Sequence, residues 1–266
     1  MNPPLDRRVM GSELSPPSDL SSMPEAFQRA FGPTEPFANE FGELEMPDQI
    51  PLPYRGQRKI NPRSRGSSRV FPIWMDVQAQ RPRRYGADSQ VEYHHLALTL
   101  TNPTTLQVHE QFGPVAFTDA DGRPAAHFFD LMITQQDGRK IAVAVKPTER
   151  LKSGRFLREL NAIEKTMSSD IADEIRLVTE RCFSRADAFN AVMYQRFAVC
   201  RDAVVEARLR DVLASTSGET TICALAERCR AGGRAFRVIV RAMFEGQLEQ
   251  LSTGRINLFT RVRRVS

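Results

Sequence analysis

Asp130 and Lys146 are the residues of this chain whose types and placing most directly offer chemistry. Hydrolysing a phosphodiester needs a divalent cation held by carboxylates, an activated water, and positive charge near the developing phosphorane. Side chains alternate along a strand, so residues two apart share a face. In the apolar run Lys140–Lys146, this puts Ala142, Ala144 and Lys146 on one face and Ile141, Val143 and Val145 on the other. In the run Pro124–Ile133, Asp130 shares its face with Phe128 and Met132. Asp137-Gly138 between the runs predicts a turn, and a hairpin can present an acid and a strand-ending lysine on one surface. The plainer alternatives are a satisfied polar residue near a strand end for Asp130 and a solvated terminus for Lys146.

Glu92 stands in Ser89-Gln90-Val91-Glu92, which by itself reads as a capping box returning a carboxylate to a helix N-terminus. His94-His95 invites a zinc reading. Neighbours on a helix face different directions, however, and no Cys or further His stands at ligand spacing. The chain has no GxxxxGK[ST], which excludes a P-loop ATPase.

Asp130 followed by Ala144-Val145-Lys146 resembles the PD-(D/E)XK nuclease signature, in which an Asp, an acid two before a Lys, and that Lys surround a metal. The wider order resembles the TnsA endonuclease subunit of heteromeric transposases. The landmarks are Ser89–Glu92 opening a helix, Glu110-Gln111-Phe112, the Asp121-Gly122 turn, Phe129-Asp130 and Val143–Pro147. Leu177–Glu180 and Phe189-Asn190-Ala191 follow downstream, so the likeness runs from about Arg58 to Phe197.

That resemblance implies catalytic roles for Glu92, Asp130 and Lys146. It implies Mg2+ or Mn2+ held by Glu92, Asp130 and the backbone carbonyl of Val145, an oxygen donor suited to a hard cation. Lys146 would orient the water and stabilise transition-state charge. The implied partners are transposon-end DNA, a DDE-type transposase subunit that joins the 3′ ends, and an AAA-type ATPase regulator. The chain departs from the family twice: Phe129 replaces a proline, and Ala144 stands where the family carries Glu or Gln. On the alternation above, Ala144 lies beside Lys146 on a solvated cleft. Two functions stay open: an endonuclease nicking the 5′ ends of a mobile element, or a catalytically impaired, nuclease-derived scaffold binding DNA and partners. A transcription regulator is a third, with Arg234, Arg237 and Arg241 on one helix face.

The elements needed to position these residues are legible as a pattern. Ser89–Thr101 has helical spacing, with Val91, His94 or His95, and Leu98 on one side. Strands are expected at Phe112–Phe117, Pro124–Ile133, Lys140–Lys146 and Ile175–Glu180. An amphipathic helix is expected over Glu149–Met167, its stripe being Phe156, Leu160, Ile163 and Met167, and another over Ala186–Phe197. The fold class is therefore α/β: a mixed sheet with flanking helices, restriction-endonuclease-like by the resemblance, over residues 85–200. Residues 201–266 read as helices Ala203–Ala214, Glu219–Arg230 and Arg234–Glu245. Two strands, Gln247–Leu251 and Arg255–Val262, follow in the order of a winged helix.

Upstream of the core, residues 1–54 are rich in Pro, Ser and acids and are expected to be disordered. Residues 55–84 read as a basic arm. Arg55, Arg58, Lys59, Arg63, Arg65, Arg69, Arg81, Arg83 and Arg84 stand against Asp76, and are expected to contact DNA phosphates. The net charge of +5 agrees with a polyanionic partner. Four scattered cysteines without a CxxC fit reduced thiols in a cytoplasmic protein. No apolar run is long enough to span a bilayer, so no membrane partner is expected.

Overall fold

The alternating apolar runs at 105–145 form the centre of the molecule. In the computed structural model, which describes residues 50–60 and 68–265, they build three antiparallel strands. These are β3 (Thr105–Thr118), β4 (Pro124–Gln135) and β5 (Lys140–Val145), and β6 (Glu174–Val178) adds in parallel beside β5. The order β3-β4-β5-β6 makes a four-stranded mixed sheet, as the α/β reading expects. Strand β3 starts seven residues earlier than the apolar run indicated, because Gln107, His109 and Glu110 are paired strand residues despite their polarity.

Helix α1 (Gln90–Thr101) covers one face of the sheet. Its Leu96 and Leu100 cluster with Leu131, Ile133, Ile141, Val143 and Val145. The buried side of α1 is Tyr93, Leu96, Ala97 and Leu100 rather than the expected stripe of Val91, His94 and Leu98. The helix is apolar nearly all round and is packed by both the sheet and α4 (Arg185–Ala198), so its spacing did not single out one face.

The expected helix 149–167 is two helices, α2 (Thr148–Leu151) and α3 (Arg155–Thr166). Gly154 separates them with φ 66°, a left-handed conformation natural to glycine. Leu160 and Ile163 of α3 close the sheet's other face over Met132, Ala142 and Ala144.

Residues 50–84 differ from expectation. Leu52 exchanges backbone hydrogen bonds with Pro82 and Arg84, so residues 50–54 are ordered along a strand. Strands β1 (Ile73–Asp76) and β2 (Arg81–Arg84) form a hairpin, and Trp74 and Tyr85 are buried in the α1 cluster. A free arm is excluded by these two aromatics, which the charge count passed over. The expectation for residues 1–49, and those for Arg63 and Arg65, lie outside the described residues.

The last third is α5 (Ala203–Ala214), β7 (Glu219–Thr221), α6 (Ile222–Cys229), α7 (Gly233–Phe244), β8 (Leu248–Gln250) and β9 (Arg261–Arg264). The strands form a small sheet in the order β7-β9-β8 around Leu209, Ile222, Leu225, Ile239 and Val262. Residues 219–221, expected as helix, are a short strand ending in Thr221. The Thr221 hydroxyl caps α6 by accepting the Ala224 N–H at 3.2 Å. The expected second strand 255–262 forms only from Arg261. No described helix is long and apolar enough to cross a membrane, and all four cysteines are free.

Candidate metal and nucleic-acid site

Asp130 sits where the β4–β5 ladder stops. Cα pairing runs from Leu131 opposite Val143 to Thr134 opposite Lys140. One residue beyond it, the Asp130 carboxylate replaces the backbone and accepts the Val145 N–H at Oδ2, 2.6 Å away. Asp130 is only 5% exposed. The Lys146 ammonium lies 3.7 Å from the same oxygen, an ion pair rather than a hydrogen bond, and 5.0 Å from the Phe156 ring centroid. Among the described residues, Oδ1 of Asp130 takes no hydrogen bond, which leaves an oxygen free to meet a cation.

Glu92 reaches the same region from α1. Its Oε2 accepts the Asp88 N–H at 2.8 Å and its Oε1 the Ser89 hydroxyl at 3.0 Å, while the Glu92 N–H donates to Ser89 Oγ. This is the capping box expected from the sequence with its return bond made one residue earlier, to Asp88, and Glu92 itself is buried. Burial, and after it the Asp130 carboxylate, push the Glu92 pKa up to about 7. The capping and active-site readings of Glu92 are therefore compatible: one carboxylate closes the helix and also feels Asp130.

Glu92, Asp130, Val145 and Lys146 thus gather at one end of β5. Two carboxylates suit Mg2+, which keeps several waters and takes one or two carboxylates from protein. Among the described residues no cluster of three or more His, Cys, Asp or Glu has metal-holding geometry. Any cation here would rest on Glu92, Asp130 and backbone oxygen, completed by water or phosphate.

Ala144 does not face a cleft. It is 0% exposed and packs with Phe129, Leu160 and Ile163 beneath α3. Alternation does carry through to Lys146, whose ammonium stands over Phe156 of α3, so the lysine shares the side of Ala144; what differs is that α3 covers that side at Ala144.

The basic run is largely neutralised within the fold. Arg83 Nε pairs with buried Asp76 Oδ2 at 2.5 Å, and Arg55 approaches the same oxygen at 3.5 Å. Arg58 and Arg69 both bind Asp88, at 2.7 and 3.0 Å, and Arg81 donates to the Ile50 carbonyl. Burial alone would raise the Asp76 pKa. The Ala79 N–H and the Arg83 guanidinium outweigh it and hold the carboxyl below its usual range. Lys59 and Arg84 remain exposed. Asp88, just past the end of the run, is the acid that the sequence count omitted.

Two features escaped the sequence reading. Glu110 on β3 is 0% exposed and neither of its oxygens has a hydrogen-bond partner. Burial pushes it up to about 7, with Arg55 and Arg83 pulling the other way. The second is a cleft of about 730 Å3 between α1, α4 and the loop at Arg255. It borders the carboxylate region: Gln90 adjoins Ser89 in the chain, and Glu180, which also lines the cleft, accepts hydrogen bonds from Thr148, two residues past Lys146.

Asn190 fixes the loop that closes this cleft. Its Nδ2 donates to the Gly254 carbonyl at 3.0 Å, and its Oδ1 accepts the Ile256 N–H at 2.9 Å. No protein-family model matches this chain, and no curated protein matches it either.

Proposed function

We propose that this chain is a Mg2+- or Mn2+-dependent DNA endonuclease, the TnsA-like subunit of a heteromeric transposase that nicks the 5′ ends of a mobile element. The observation that carries this reading is the convergence of Glu92, Asp130 and Lys146 at the end of β5, with Asp130 coupled to both. Bound there, the cation would act as a Lewis acid on the scissile phosphate. Asp130 positions the Lys146 ammonium, which holds positive charge near the phosphate and orients water. Glu92 keeps its proton up to about 7 and surrenders it as the cation arrives. A DDE-type transposase and an AAA-type ATPase would complete the assembly. We read the C-terminal order helix, strand, two helices, two strands as a winged helix, which would add DNA contacts.

The decisive experiment is nicking of a supercoiled element-end plasmid with Mn2+ and the partner transposase present, comparing wild type with Asp130→Ala and Lys146→Ala. Wild-type nicking that both substitutions abolish establishes the enzyme.

A second reading, an inactive DNA- and partner-binding scaffold, is favoured by Ala144, which puts a methyl group in an enclosed position where the family carries Glu or Gln. Wild type that stays inert beside a working partner would select it. The transcription-regulator reading weakens, because Arg234 binds Asp202 through two nitrogens and the buried Arg241 pairs with Glu206 and Glu245. Neither presents an open guanidinium to a base.

A further inference from the structure

We infer that the cleft between α1, α4 and the Arg255 loop binds single-stranded DNA. This rests on the nuclease reading for its role, that of receiving the strand freed at the nick, but not for its chemistry. The lining is mainly apolar and carries the rings of Phe183, Phe189 and Phe197. Arg185, Arg196 and Arg255 stand on the same lining, all exposed. The Arg255 guanidinium lies 4.5 Å over the Phe189 ring, which is itself 42% exposed.

Several arginines elsewhere are spent on the fold. Arg55, Arg58, Arg69, Arg83, Arg234 and Arg241 are each held by a carboxylate. Among the described residues none of the three cleft arginines has such a partner, and the one acid on the lining, Glu180, is occupied by Thr148. Unneutralised arginines around the exposed Phe189 ring suit a polyanion whose bases are free to stack, as in single-strand binding grooves. Duplex DNA hides its base faces and would use the arginines alone. A volume of about 730 Å3 is ample for one or two nucleotides.

The test is fluorescence anisotropy of the full chain with a labelled oligothymidylate and with a duplex of equal length, in EDTA so that cleavage plays no part. Single strand should bind more tightly than duplex. Phe189→Ala should weaken single-strand binding about tenfold, through lost stacking. Replacing Arg185, Arg196 and Arg255 together by Ala should reduce the slope of log K against log salt by about two. Arg123→Ala, on the distant β3–β4 turn, should change neither.

Equal affinity for the two DNAs, or full single-strand affinity in Phe189→Ala, overturns the inference. So does a photoreactive group at position 189 that, with oligonucleotide in excess, crosslinks to the chain's own Phe- and Glu-bearing residues 27–48 instead. A chain that binds as expected but never nicks would retain the cleft assignment and lose the nuclease reading, so the two fail separately.

Discussion

Asp130 adds to burial in raising the proton affinity of Glu92, the two carboxylates being brought together by the capping of α1 and the end of the β4–β5 pairing. A carboxyl that titrates at about 7 when folded and near 4.5 when exposed lets the folded state hold the extra proton between those values. Its contribution to stability is complete below pH 4.5 and is lost as pH rises through about 7. Glu92→Gln should therefore flatten the fall of melting temperature across this window, and Glu110→Gln, whose carboxyl is shifted the same way, should flatten it further. Melting curves at half-unit pH steps check this; parallel curves for wild type and both variants would remove the shifted carboxyls.

The same proton provides a readout of cation binding that does not need catalysis. Mn2+ arriving at Glu92 and Asp130 must displace it, so affinity should climb with pH up to about 7 and then level off. Calorimetry in buffers of different ionisation enthalpy should register close to one proton released per ion at pH 6. Asp130→Asn should weaken uptake strongly. Proton-neutral binding that survives Asp130→Asn would place the ion elsewhere.

Ala144→Glu should not rescue a missing ligand. The side chain would enter the apolar contact between β5 and α3, beside Phe129, Leu160 and Ile163. Overpacking and an unpaired carboxylate together should cost at least about 3 kcal/mol. A urea midpoint shift with no gain in nicking is the expected result. An unshifted midpoint would mean that α3 yields to admit the carboxylate.

This position marks where sequence reasoning stops. Strand periodicity located β4 and β5, and the turn at Asp137-Gly138 set their pairing, so Asp130 and Lys146 could be brought together from spacing alone. Alternation held to the end of β5, which stays paired with β6 through Val145, and it correctly put Ala144 and Lys146 on one side. What alternation could not show is that the apolar stripe of α3 covers this face at Ala144, turning an expected cleft wall into core. The charge count over 55–84 failed for a similar reason. Asp88 lies outside the window in sequence and inside it in space, and Trp74 and Tyr85 tie the hairpin to the core.

Asp76 should be a stability residue rather than a DNA-proximal one. It is buried, with Arg83, Arg55, the Ala79 N–H and the Tyr85 hydroxyl all directed at its carboxylate. Asp76→Ala would strand two guanidinium groups in a partly buried setting, at a cost of about 3 kcal/mol. Chemical denaturation should show that loss. If the arginines were then released to solvent, DNA affinity would rise while stability hardly changed, and that pair of results would contradict the internal role.

Asn190 ties α4 to the loop at Gly254–Ile256 with both ends of its amide, and its substitutions should separate geometry from burial. The amide needs both its ends: the NH2 donates to the Gly254 carbonyl, and the oxygen accepts from the Ile256 N–H. Asn190→Asp keeps the shape and the acceptor but sets a carboxylate oxygen against the Gly254 carbonyl. Asn190→Leu keeps the volume and removes both bonds. The Leu variant leaves the buried Ile256 N–H unpaired, worth about 1–3 kcal/mol, whereas the Asp variant keeps that bond and loses only the one to the exposed Gly254 carbonyl. The Asp variant should improve as pH falls and its acid is protonated to a donor; the Leu variant should not. Amide exchange at Ile256 should accelerate in both, because its N–H loses a well-placed acceptor or sits in a displaced loop. Arg255, carried between the two anchor points, should lose its place over Phe189 at the same time. Single-strand affinity should then fall in step with Ile256 protection across the pH series. Exchange that quickens while oligonucleotide binding stays constant would show that the loop is clamped for stability alone.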